Sequence, residues 1–306
     1  MADPAVISVK KIWGGGAHCA FTDLARFRGR WFCVFREAAT HVGSEGSVRI
    51  IESSDGATWR STAVLSETGT DLRDPKLSVT PGKNLMLLMG GTPAGAASSD
   101  HRQPRVAFST DGRLWSLPQR VLCPGDWLWR VTWHRSRGYG VSYRLESART
   151  WRIILFETRD GAEYRQVCPL DVSGKPNETT VRFCSDGRAF ALVRREGGDA
   201  FGWIGSSVQP YRQWTWRPAG RRVGGPNFII LPDSDMWAVC RDSTSNGPAT
   251  RVFRMGNGSL RPALTLPSGG DCSYPGLAWF RGMLWVSYYS SHEGTTSIYL
   301  ARVRLA

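Results

Sequence analysis

No stretch of this chain stays apolar for long. The longest runs, such as 85–89, and shorter ones such as 228–231 fall far short of the roughly 20 residues a helix needs to cross a bilayer. No membrane insertion is therefore expected. No window of about 12 residues carries a clean 3.6-residue apolar period, which argues against amphipathic helices and coiled coils. The N-terminal MADPAVISVKKIW lacks a basic segment followed by an apolar core, so a cytoplasmic protein is expected. There is no Cys-x-x-Cys, which excludes zinc ribbons and thioredoxin-type motifs. The seven cysteines (19, 33, 123, 168, 184, 240, 272) sit mostly in apolar runs such as Trp31-Phe32-Cys33-Val34-Phe35 and read as buried, reduced thiols. Gly14-Gly15-Gly16 is not followed by Lys-Ser, so a phosphate loop is not expected. His18, His41, His101, His134 and His292 are scattered without paired ligand spacing, and no metal centre is expected.

What is present is turn formers and indoles: 34 Gly, 17 Pro and 14 Trp among 306 residues. With 41% hydrophobic and 21% charged residues, this is a globular composition that excludes disorder and collagen. Lys and Arg number 39 against 26 Asp and Glu, a net charge of +13. That balance favours an anionic partner: nucleic acid, an acidic membrane or an acidic small substrate. Lysine is scarce, at 10, 11, 76, 83 and 175 only, and the indoles mostly alternate within strands. Both features argue against nucleic acid and for arginine-lined pockets.

One pattern recurs. A Ser or Thr, any residue, Asp-Gly, two further residues and an aromatic ring appear as Ser53-Ser54-Asp55-Gly56-Ala57-Thr58-Trp59. The pattern returns as Ser109-Thr110-Asp111-Gly112-Arg113-Leu114-Trp115 and as Thr158-Arg159-Asp160-Gly161-Ala162-Glu163-Tyr164. A decayed copy without Asp-Gly spans 206–214. Asp-Gly favours a hairpin turn, because Gly accepts positive φ and Asp bonds its own backbone. The aromatic ring is expected to wedge between neighbouring units. A spacing near 50 residues falls in the range of propeller blades. The intervening segments, such as 30–36, 47–51, 138–145, 150–156 and 284–289, are rich in β-formers and separated by turn clusters. Six units of about 51 residues parse, starting near Thr22, Pro75, Trp129, Glu178, Pro226 and Tyr274. The last is one strand short, and a strand at 6–13 would complete it and close the ring, removing exposed edges. The expected architecture is all-β: one domain over 1–306, a six-bladed β-propeller of four-stranded antiparallel blades. The alternative is a large β-sandwich or two smaller β-domains.

Several second strands end in arginine: Arg36, Arg144, Arg194 and Arg241. If these positions converge, the guanidiniums make an anion site. If not, they are salt bridges at blade edges.

Asn177-Glu178 opens one unit, Asp186-Gly187 turns into the strand bearing Arg194, and Ser273-Tyr274-Pro275-Gly276 opens the last. This series, together with the Asp-Gly turns, resembles the sialidase (neuraminidase) superfamily of six-bladed propellers with its Asp boxes. Here the Asp-Gly spacing is one residue shorter than in those boxes. Segments 18–37, 71–78, 177–180 and 273–293 resemble bacterial exo-α-sialidase-like proteins, and the likeness covers most of the chain. It implies a retaining exo-glycosidase that removes a terminal acidic sugar, sialic acid or a related nonulosonate, from a glycan or glycoconjugate. By resemblance Tyr274 is the nucleophile and Glu178 the base that activates it. Arg194 is one of three arginines gripping a carboxylate, and Arg251 fits the third better than Arg241. No cofactor or metal is implied. The chain departs from the family at two points. The first unit reads His18-Cys19-Ala20-Phe21-Thr22-Asp23-Leu24, with no arginine, so Arg36 or Arg73 would have to replace it. The loop after its second strand lacks the family's acidic aspartate, leaving His41, Glu45, Asp23 and Asp74 as candidate acids. These departures keep two alternatives open: a non-catalytic propeller binding acidic glycans or a protein, and a glycosidase or lyase for another acidic sugar.

Overall fold

A computed structural model describes residues 3–95, 101–256 and 258–305. Its regular structure is β throughout. The chain opens with β1 (Ala5–Trp13), followed by β2 (His18–Phe27), β3 (Arg30–Ala38), β4 (Gly46–Ser53) and β5 (Arg60–Leu65). Next come β6 (Thr70–Val79), β7 (Leu85–Pro93), β8 (Gln103–Ser109) and the short β9 (Gln119–Arg120). A third set is β10 (Trp127–His134), β11 (Arg137–Leu145), β12 (Trp151–Thr158) and β13 (Tyr164–Leu170). A fourth is β14 (Pro176–Phe183), β15 (Ala189–Arg195), β16 (Trp203–Ser207) and β17 (Thr215–Pro218). A fifth is β18 (Gly224–Ile230), β19 (Met236–Thr244), β20 (Gly247–Gly256) and β21 (Ser259–Thr265). The last holds β22 (Cys272–Phe280), β23 (Met283–Ser290) and β24 (Ser297–Arg304).

Within each set the strands pair antiparallel in chain order. β1 lies on β24 and completes the last sheet, so the N-terminal strand covers what would be an open edge. The first two sets form one continuous sheet only through a single parallel bridge, Gly46 to Asp71. The first strands neighbour one another in sequence, β2, β6, β10, β14, β18 and β22, and β22 returns to β2. The unit starts read from the sequence all fall inside these strands. Among the described residues no helix is long and apolar enough to cross a membrane.

The apolar core lies between successive sheets rather than in one centre. Trp31 of β3 stacks on Trp285 of β23 at 4.5 Å, joining the first sheet to the last. Val141, Ile153 and Leu155 of the third sheet pack with Val181, Ala191 and Val193 of the fourth.

The Asp-Gly turns fasten these seams. In the first, Ser53 Oγ accepts the Gly56 amide at 2.8 Å, and Asp55 Oδ1 accepts those of Ala57 and Thr58 at 2.8 and 3.1 Å. The turns at Asp111 and Asp160 repeat this pattern. These amide bonds, foremost those to Ala57 and Thr58, lower Asp55 to about 2. As expected, the aromatic rings Trp59, Trp115 and Tyr164 pack against apolar clusters that join neighbouring sheets. Trp59 and Trp115 fold back to donate to the carbonyls of their own Gly56 and Gly112, both at 3.2 Å. The glycines make the close approach to the neighbouring sheet. A Cβ at Gly56 would overlap Trp285, one at Gly112 would overlap Phe32, and one at Gly161 would crowd Met86. The decayed copy keeps the turn: Trp214 donates to the Tyr211 carbonyl at 2.9 Å, and Tyr211 takes the positive φ of 61°.

Gly112→Ala therefore meets two penalties, the Phe32 ring and a φ of 80°. It should destabilise the protein by about 2–4 kcal/mol. Gly29→Ala, at φ 76° with open space around it, should cost only about 1 kcal/mol. Urea denaturation midpoints of the two variants check this; equal shifts would show that the glycine contact does not hold the seam.

Candidate active site

The same irregularity interrupts the first strand of every set. The register slips between Ala20 and Asp23, Arg73 and Lys76, Leu128 and Val131, Pro176 and Thr179, Gly224 and Asn227, and Ser273 and Gly276. A β-bulge leaves the extra residue unpaired and re-aims its side chain. Phe21, Asp74, Gly225 and Tyr274 take φ values of 61°, 52°, 57° and 50° there. Such a conformation costs an ordinary residue about 1 kcal/mol or more, and it concentrates at functional sites.

Tyr274 and Glu178, 96 residues apart, meet through these bulges. The Tyr274 hydroxyl donates to Glu178 Oε1 at 2.7 Å. Arg194 Nη1 donates to the same oxygen at 2.8 Å and to the Tyr274 oxygen at 2.9 Å. Glu178 Oε2 accepts the amide of Gly225, in the next bulge, at 2.8 Å. The ring of Tyr274 packs edge-on to Phe21 and Trp129, and the Arg241 guanidinium lies 5.7 Å from its centroid. Arg194 also pairs with Glu196, and both line a cavity of about 140 Å³ with Arg222, Gly224 and Arg241.

The charges are set by these contacts. Burial pushes the Glu178 carboxyl up, but the Arg194 charge and the bonds from Arg194, Tyr274 and Gly225 outweigh it, so the group sits below its usual range. Burial and then the Glu178 charge push the Tyr274 phenol well above its ordinary value, with Arg194 opposing. Glu178 is thus held toward its charged form and the Tyr274 phenol toward its neutral one. Asp74 is pushed up by burial, and the Glu178 charge adds to this against Lys76 and Arg73. Its buried Oδ1 has no hydrogen-bond partner among the described residues. Beside it, burial lowers Lys76 to about 8.

The remaining sequence candidates are placed differently. Asp23 is bound on both oxygens by Arg130, at 2.8 and 3.0 Å, and accepts the Leu77 amide at 2.7 Å. Fully buried and paired, it is a structural bolt. Glu45 is exposed and caps the Gly69 amide at 3.0 Å. His41 bonds Asp271 at 2.7 Å across the Phe21 ring from Tyr274.

The arginines do not form a ring. Arg36 is fully buried against Asp71 at 2.7 Å and the Thr40 carbonyl at 2.8 Å. Arg73 takes the other oxygen of Asp71 at 2.5 Å. Arg144 pairs with both oxygens of Asp126, at 2.8 and 2.6 Å. Arg251 sits opposite Cys240 and bonds Asp242 at 3.1 Å, so Arg241 rather than Arg251 stands beside Tyr274. Arg194 faces its bulge and Arg144 lies beyond its own, but Arg36 and Arg241 both pair with the residue before their bulges, so the Asp71 carboxylate and not register sets Arg36 apart. Asp271, Tyr289, Glu196 and Trp129 also belong to this neighbourhood but were not singled out from sequence. Asp271, three residues before Tyr274, and Glu196, two after Arg194, carried a signal that proximity in sequence would have found.

No family model matches this chain, and no curated protein matches it. Solved structures do. A protein of unknown function from Dyadobacter fermentans superposes with a TM-score of 0.88 at 17% identity, over 100% of both chains. The α-L-arabinofuranosidase Arb93A from Fusarium graminearum gives 0.74 at 14% identity, over 97% of this chain and 98% of that one. A Trypanosoma rangeli sialidase gives 0.72 at 11% identity, over 94% of this chain but 55% of the sialidase. The chain has the sialidase-like β-propeller fold. At these identities the likeness carries the fold alone.

Glu178→Gln keeps the shape of the network but removes the charge facing Arg194, and should lower stability at neutral pH by roughly 1–3 kcal/mol. A carboxylate held below its unfolded pKa stabilises the protein above that value, and the contribution disappears as pH falls through the folded value. The gap between wild type and Glu178→Gln should therefore close on acidification. Denaturant midpoints from neutral pH down to about pH 3 test this; a gap that widens would contradict the assignment.

Proposed function

We propose that the chain is a retaining exo-glycosidase built on a closed six-bladed propeller with Asp-box turns, using Tyr274 as nucleophile. One observation carries the reading: the Tyr274 hydroxyl lies 2.7 Å from an ionised Glu178 and within reach of Arg194. A phenol is a poor nucleophile at its ordinary pKa and needs a base on its proton. In the first step the Tyr274 oxygen bonds to the anomeric carbon as the glycosidic C–O bond breaks. Glu178 takes the phenolic proton. Asp74, whose carboxyl burial pushes above its usual range, gives its proton to the leaving oxygen. Water then displaces the Tyr274 oxygen, giving a proton to Asp74 while Glu178 returns one to the phenol. Arg194 stabilises the charge that develops on the phenolic oxygen. The catalytic groups of this scheme all belong to the chain, so it needs no cofactor.

The substrate we propose is a glycan ending in an acidic sugar, α-linked sialic acid or a relative. A neutral phenol does not repel a substrate carboxylate, and Arg194 and Arg241 are the guanidiniums beside it. A second reading, a neutral terminal sugar, is favoured by one fact: Arg36, Arg73 and Arg251 are held by Asp71 and Asp242. Six of the seven thiols are buried and unpaired, which supports a reducing, cytoplasmic location.

Hydrolysis of aryl sialosides and aryl arabinofuranosides separates the two substrate readings, and no turnover of any glycoside leaves only a binding role. On the preferred substrate, Tyr274→Phe should abolish the glycosyl-enzyme adduct seen by mass spectrometry. Asp74→Asn should slow turnover by about 10²–10⁴ for poor leaving groups and far less for activated aryl ones. Undiminished turnover in Tyr274→Phe would overturn the mechanism.

A further inference from the structure

Across the Phe21 ring from Tyr274 lies a second polar cluster, which the proposed reaction does not use. His18 begins β2, His41 sits on the loop after β3, and Asp271 immediately precedes β22. His18 Nε2 and His41 Nδ1 point at one and the same carboxylate oxygen, Asp271 Oδ2, at 3.1 and 2.7 Å. The three ligand atoms lie within 4.8 Å of one another. The other oxygen, Oδ1, accepts the Tyr289 hydroxyl at 2.7 Å, and Arg241 stands 3.7 Å from it. These partners orient the carboxylate and leave Oδ2 turned to the imidazoles.

We propose that His18, His41 and Asp271 bind one divalent transition-metal ion of the zinc class. Two imidazoles and a carboxylate are a donor set suited to such ions, and three protein ligands leave a coordination position for water. Tyr289 supplies the outer hydrogen bond that fixes a ligating carboxylate. Arg241 opposes a cation, but it lies on the oxygen that faces away from the imidazoles. His18 is nine-tenths buried while the His41 side chain is 47% exposed, which gives the ion a route in. The ligands come from the first and last sheets, so the ion clips the seam where the chain meets its own beginning. Anything that binds the folded state alone stabilises it.

The test uses the full, tag-free chain after chelator treatment. Equilibrium dialysis against Zn²⁺ with elemental analysis should give one ion per chain, and Co²⁺ should produce visible d–d absorption. Zn²⁺ should raise the thermal midpoint of the wild type. His41 lies on an exposed loop, so His41→Ala should fold normally by circular dichroism. In that variant Zn²⁺ affinity should fall at least about tenfold, and the midpoint rise should vanish. Tyr289→Phe should weaken binding without removing it. No stoichiometric ion in the wild type, or equal binding in His41→Ala, overturns the proposal and leaves the trio as a hydrogen-bond network alone.

Discussion

The repeated bulge in the first strand of each set is the constraint on which the site depends. An uninterrupted antiparallel ladder sends alternate side chains to the two faces of its own sheet. It offers no way to aim side chains from several sheets at one another. Doubling one residue against its partner breaks that alternation once per unit and at the same height. Tyr274, Asp74, Glu178 and the Gly225 amide all owe their placement to it. Gly225 shows the cost most directly: its φ is positive, and a Cβ there would meet the Tyr274 ring. Only glycine lets the backbone amide come close enough to serve Glu178.

Around this centre the chain holds much of its charge in buried pairs. Arg36 with Asp71, Arg130 with Asp23 and Arg105 with Glu67 bind carboxylates from separate strands or loops. Arg30, Arg60 and Arg113 share the buried Glu52 and lower it to about 2, against the push of burial. A buried pair is weak evidence for net stability, because desolvation offsets much of the attraction. The pairing is incomplete: Arg36 Nη2 and Arg73 Nε have no hydrogen-bond partner among the described residues, while Arg194 and Arg241 are the guanidiniums beside Tyr274. The +13 charge is thus a poor guide to the site, since most of it lies elsewhere.

Much of the fold was legible in the sequence because it rests on local chemistry. Asp55-Gly56, Asp111-Gly112 and Asp160-Gly161 are turns for reasons contained within a few residues, and their spacing marks the units. The fourth turn shows the limit: Tyr211 takes a glycine-like conformation that no propensity would assign to it. The site was legible in part. Tyr274, Glu178 and Arg194 were singled out together, and the structure brings them together. Arg36 and Arg251 were singled out by similar reasoning; Arg251 is held by Asp242, and Arg36 by Asp71, near enough to Asp74 to oppose the rise of its pKa. Arg36 and Arg241 hold the same register against their bulges, so position within a strand does not reveal which of them meets a carboxylate from a neighbouring strand.

The sequence by itself determined the strand-rich character, the repeat length, the turn chemistry and the unit boundaries. Each follows from interactions among neighbours in the chain. The tertiary structure alone decided which carboxylate claims which arginine and which carboxylate oxygen, Asp74 Oδ1, has no hydrogen-bond partner among the described residues. It also decided that His18, His41 and Asp271 share one oxygen. Those outcomes depend on partners up to 253 residues apart and on dielectric surroundings that exist only once the sheets have packed.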